Sequence, residues 1–84
     1  MVRKISVYVI IPEVFDKINF LVPENMTISS ATKLICNMLV ESGHLELDKS
    51  YRFIRKTTGM LISNDKTLKS SGITDGTELI ILEV

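Results

Sequence analysis

Residues 65–84 read D-K-T-L-K-S-S-G-I-T-D-G-T-E-L-I-I-L-E-V, a polar turn region running into a single strand. In that strand Leu79 and Ile81 alternate with Ile80 and Leu82, so both faces are apolar. Such a strand belongs in the centre of a sheet, because a strand with one solvated face would alternate apolar with polar. Asp75-Gly76 just before it signals a turn, since glycine takes positive φ without steric cost. The rest of the chain must supply its neighbours and a cover for at least one face.

Apolar material for that cover comes from a short chain. With 84 residues, 45% of them hydrophobic and 24% charged, residues 1–84 are expected to form one domain around one core. Most of its large apolar side chains must be committed to that core. Ten basic and ten acidic residues cancel, which leaves no electrostatic footprint for nucleic acid or an anionic membrane. The single cysteine, Cys36, forms no internal disulfide, and no apolar run approaches the ~20 residues of a membrane span. The basic start followed by residues 5–11 lacks a cleavage site and alternates like a strand rather than a signal segment. These features lead to the expectation of a cytoplasmic protein.

Ile5, Val7, Val9 and Ile11 alternate with Ser6, Tyr8 and Ile10, and Ile18, Phe20 and Val22 alternate with Lys17, Asn19 and Leu21. Two strands joined as a hairpin are predicted, the second ended by Pro23. The connection carries Val14 and Phe15, expected to close the end of the core. Thr27 is a candidate N-cap, and Ile28, Ala31, Leu34, Ile35, Met38 and Leu39 form a helical stripe that Gly43 stops. Cys36 and Val40 fall off that stripe, on the polar side. A third strand is predicted over 51–56, with Tyr51 and Phe53 on one side, then a short edge piece at Met60, Leu61 and Ile62. Leu68 is a lone apolar anchor in the polar connection that follows.

Hairpin, helix, strand, short strand and final strand make an α+β pattern in which one helix covers one face of a mixed sheet. The order and spacing resemble the ubiquitin-like β-grasp fold, and T-L-K-S-S-G-I-T-D-G-T-E-L-I-I-L is similar to the closing segment of that family. Thr27-Ile28 at the helix start and Leu61 before the long connection also match. Within the superfamily, a domain closing directly after G-I-T-D-G-T-x-L-x-I-L looks most like the bacterial YukD/EsaB group. That resemblance implies a small cytoplasmic accessory of the type VII (WXG100) secretion machinery.

Conjugating and sulfur-carrying members of the superfamily work through a flexible Gly-Gly tail. This sequence closes on Leu82-Glu83-Val84 and has no Gly-Gly upstream, so conjugation and sulfur transfer are not expected. The alternatives are a modifier or sulfur carrier activated at its C-terminus, or a generic ubiquitin-like adaptor domain of a larger protein. No enzyme is expected either. His44 stands near Glu41 and Glu46 without enough ligands for a metal. Cys36 has only Lys33 one turn away to favour a thiolate, and is read as an unreactive half-exposed thiol. Gly72 and Gly76 enter a strand rather than a helix, so they form no phosphate loop. No cofactor is implied.

If Val7, Val9, Phe53, Leu79 and Ile81 face the helix, then Tyr8, Ile10, Ile54, Ile80 and Leu82 face away from it. On neighbouring strands these five would form one apolar patch, with Leu21 at its margin and Arg52 and Lys56 on its rim. A contiguous apolar patch on so small a domain marks an interface more often than scattered residues do. Protein partners are therefore expected on that face, secretion components among them, and a second copy could bind there too.

Overall fold

Alternation along residues 4–11 makes the first strand, and every second side chain of it disappears from solvent. The computed structural model, which describes residues 3–84, places strands at Lys4–Ile11 (β1), Asp16–Pro23 (β2), Tyr51–Arg55 (β3) and Thr77–Glu83 (β4), with one helix at Ile28–Glu41 (α1). The sheet order is β2-β1-β4-β3; β1 pairs in parallel with β4, and the outer pairs are antiparallel. The first and last strands therefore lie side by side in the middle, as the doubly apolar closing strand requires.

Ile5, Val7, Val9 and Ile11 of β1 join Phe20, Val22, Phe53, Leu79 and Ile81 on the helix side, all buried. Ile28, Ala31, Ile35 and Leu39 of α1 close over them, and Ile62, Leu68 and Ile73 fill the end from the long connection. Leu68 is the anchor its isolation suggested. Asp75 has a role its turn position concealed: its carboxylate accepts from the Ser6 main-chain N–H (2.8 Å), while Gly76 N–H donates to Ser6 O (2.8 Å). The turn thus fixes where β4 begins against β1.

Thr27 caps the helix, its hydroxyl accepting from Ser30 N–H at 3.2 Å. At the other end Gly43, with φ +82°, lets Gly43 N–H reach Val40 O and His44 N–H reach Leu39 O. These two bonds satisfy carbonyls the last turn would leave open.

Three expectations need correction. The buried stripe of α1 includes Thr32 and leaves Leu34 and Met38 40% and 41% exposed. Thr32 tolerates burial because its hydroxyl donates to Ile28 O at 2.7 Å, so no polar group is orphaned. The core face is consequently rotated toward Cys36 and Val40, both half-buried. Val14 and Phe15 do not close the core: both are exposed, and Phe15, 89% exposed, takes a left-handed φ of 56° to turn the chain. Residues 60–62 form a single bridge, Leu61 to Ile54, rather than a strand. They still cover β3, because Arg55 N–H donates to Met60 O and Ile62 N–H donates to Phe53 O.

Candidate functional site

Register decides which outward side chains meet. Ile10 pairs with Ile80 across β1 and β4, Ile80 pairs with Ile54 across β4 and β3, and Ile54 bridges to Leu61. An unbroken aliphatic row therefore crosses three strands, ending on Leu61, which is 53% exposed. Side chains directly opposite in a sheet lie within contact of one another, so the row is a surface and not a scatter. Leu82 stands opposite Arg52 one step along the strands. Ile10, Ile54 and Ile80 are each half-buried by these neighbours, while Leu82 is exposed.

The flanks differ from the expected basic rim. Arg52 is tied to the cover of β3, its guanidinium donating to Ile62 O at 2.9 Å, and its Nε is buried without a partner. Lys56 lies beside Glu78, 3.4 Å from Nζ to Oε2, and Lys17 approaches the same carboxylate at 3.0 Å. Tyr8 sits opposite Glu78 in the register, with Lys17 Nζ 4.9 Å from its ring centroid. The hydrogen bond from Lys17 is the main reason the Glu78 carboxyl is held below its ordinary range, and the Lys56 charge adds to it. The outward face thus has two halves: the aliphatic row, and beside it an ion cluster of Lys17, Glu78 and Lys56 around Tyr8.

Strand alternation assigns Tyr8, Ile10, Ile54, Ile80 and Leu82 to this face with Lys56 on its rim; Glu78 and Lys17 are the additions. Glu78 shares the strand parity of Ile80 and Leu82, and Lys17 that of Leu21, so the alternation that placed the patch also placed these charges. Leu21 is 63% exposed on β2, at the margin.

Elsewhere the chemistry is sparse. An open groove of about 340 Å³ between α1 and β3 is lined by Lys33, Cys36, Val40 and Tyr51 among others. Partial burial there pushes the Cys36 thiol above its ordinary pKa, opposite to what an activated thiolate requires. His44 contacts Ser42 Oγ through Nδ1 (2.6 Å) and Asp16 through Nε2 (3.2 Å), which ties the helix C-terminus to the start of β2. Among the described residues no three His, Cys, Asp or Glu side chains converge as metal ligands. No helix among the described residues is long and apolar enough to cross a membrane.

No family model matches the chain, and no curated protein matches it. Solved structures do. A ubiquitin-like domain of an Arabidopsis thaliana protein superposes with TM-score 0.72 at 25% identity, over 98% of this chain and 79% of that one. The fold is the ubiquitin-like β-grasp. The EccD5 ubiquitin-like domain from Mycobacterium xenopi superposes with TM-score 0.74 at 16% identity, over 98% and 96% of the two chains. A chain of the toluene 4-monooxygenase HD complex superposes with TM-score 0.82 at 13% identity, covering 98% and 100%. At those identities the last two likenesses concern the β-grasp fold alone. A specific likeness to YukD or EsaB is not shown by these neighbours.

Proposed function

We propose that this β-grasp domain is a non-enzymatic protein-docking module that binds through the outward face of its sheet. The observation that carries the reading is the Ile10–Ile80–Ile54–Leu61 row, aliphatic side chains aligned across three strands on the face that no helix covers. An aliphatic centre beside fixed charges is the composition of a recognition surface: the row supplies area, and the Lys17–Glu78–Lys56 cluster supplies orientation. Tyr8, Ile10, Arg52, Ile54, Lys56, Ile80 and Leu82 are the residues assigned to it.

The setting proposed is the cytoplasmic side of a bacterial type VII (WXG100) secretion machine, with the domain as an accessory or regulatory component of the YukD/EsaB kind. Support comes from the closing-segment resemblance and from the EccD5 domain, a β-grasp of the same size in a type VII system. The test is co-purification from a host that carries such a machine. Ile54→Asp is expected to lose the secretion components that the unaltered domain retains. Recovery of the same components with Ile54→Asp would remove the sheet face from the reading, and recovery of none with the unaltered domain would remove the secretion setting.

A further inference from the structure

The sheet has two edges, and only one is covered. Glu24 N–H donates to Arg3 O across the β1–β2 register (2.9 Å), which fixes the alternation of the ladder. Residues 16, 18, 20 and 22 therefore bond to β1, and the main-chain N–H and C=O groups of Lys17, Asn19 and Leu21 point away from it. β2 ends the strand order and pairs with β1 alone. Lys33, Cys36 and Val40 line the groove toward β3, and Leu34 and Met38 lie on the opposite flank of the helix.

A long exposed edge strand is a template for another strand unless it is blocked, usually by lysine or proline. β2 carries both, Lys17 and Pro23, and their positions disfavour the symmetric registers centred on Lys17 and on Leu21. A symmetric pairing centred on Lys17 opposes like charges. One centred on Leu21 brings Pro23, which has no N–H, against Asn19. A pairing centred on Asn19 sets Lys17 against Leu21 of the second copy and Asn19 against its own equivalent. It also leaves Pro23 opposite position 15, outside the ladder. Every outward donor and acceptor of Lys17, Asn19 and Leu21 is then used, and no like charges meet.

We propose that β2 pairs antiparallel with β2 of a second copy of this chain, about a two-fold axis at Asn19, joining two four-stranded sheets into one. The contact is self-complementary, as a closed two-fold interface must be. Because the axis runs perpendicular to the sheet, both helices fall on one side and both aliphatic rows on the other. The dimer thus presents two docking faces side by side, and a bivalent partner gains avidity from it. The dimer itself stands on the β2 edge and does not depend on what the outward face binds.

Light scattering over a concentration series is expected to approach twice the 9.5 kDa mass of one chain. Leu21 is exposed and faces Lys17 of the second copy, so Leu21→Lys and Leu21→Glu separate register from mere loss of apolar area. Leu21→Lys opposes like charges twice by symmetry and weakens the dimer by about tenfold. Leu21→Glu opposes unlike charges and retains it. Asn19→Cys in a Cys36→Ser background cross-links on oxidation, since directly opposed residues of an antiparallel pair lie within disulfide reach. Ile54→Asp leaves the dimer intact, which keeps this test apart from that of the docking face. A chain that stays monomeric at every concentration, equal losses with Leu21→Lys and Leu21→Glu, or a dimer without the residue-19 cross-link overturns the proposal.

Discussion

The two faces of this sheet are built from the same residue types, and only one of them is covered by the helix. On the helix side Val7, Val9, Phe53, Leu79 and Ile81 are sealed under α1, and Thr32, the polar residue buried there, satisfies its hydroxyl within its own helix turn. On the outward side Ile10, Ile54 and Ile80 repeat that aliphatic chemistry without a cover and lie beside three charges. The helix face is closed by packing. The outward face keeps aliphatic area at the surface, which the fold itself does not require. Surplus of that kind is what a partner would use.

The sharpest way to break the contrast is truncation on each face. Leu79→Ala leaves a cavity under the helix and is expected to cost about 3 kcal/mol, lowering the Tm by roughly 12–24 °C. Ile80→Ala, next in the chain, is expected to cost about 1 kcal/mol, because its side chain is already half in water. Similar losses for the two, measured by thermal or urea unfolding, would show that the outward row is structural.

Asp75→Ala tests what sets β4 in register with β1. Losing the carboxylate that accepts from Ser6 N–H should cost about 1 kcal/mol, read as a shift in urea midpoint at constant slope. Smaller still is the expectation for Leu34→Gln with Met38→Gln. If these side chains lie outside the core, the pair changes stability by less than about 1 kcal/mol; if they were core, the loss would be several-fold larger.

That last pair also shows where the sequence was ambiguous. The strands were legible because a period of two assigns faces without reference to anything else: once Val7 points in, Tyr8 points out. A helical stripe has no such parity. Leu34 and Met38 extend the row of Ile28, Ala31 and Ile35 on one side as well as Thr32 and Cys36 do on the other, and the sheet beneath decides between them. Thr32 wins a buried place only because a hydroxyl can bond back to the preceding turn, a fact of geometry and not of hydropathy. Phe15 departs from its expected place for a related reason. Its apolar side chain suggested the core, whereas the hairpin needs a left-handed residue there, and no glycine or asparagine marked the place. Glu78 and Lys17 are placed by the same parity, but parity does not tell that their charges meet; the strand register does.

The charged half of the outward face gives the smallest effect, in the pH dependence. Lys17 holds the Glu78 carboxyl below its ordinary 4.5 in the folded chain, so the folded value lies under the unfolded one. Its contribution is present above the unfolded value and is lost as pH falls through the folded one. Glu78→Gln should therefore flatten the acid side of a stability profile slightly and leave the neutral side unchanged in shape. Because the Glu78 side chain is only partly covered, added salt should shrink the difference.

The central claim is that the outward face binds while the helix face only folds. Its most direct test is the affinity of Ile54→Asp for the partner recovered with the unaltered domain, measured beside its thermal unfolding. The account predicts that binding is lost while the unfolding transition stays cooperative and shifts only modestly. Retained affinity in a folded Ile54→Asp domain would contradict it.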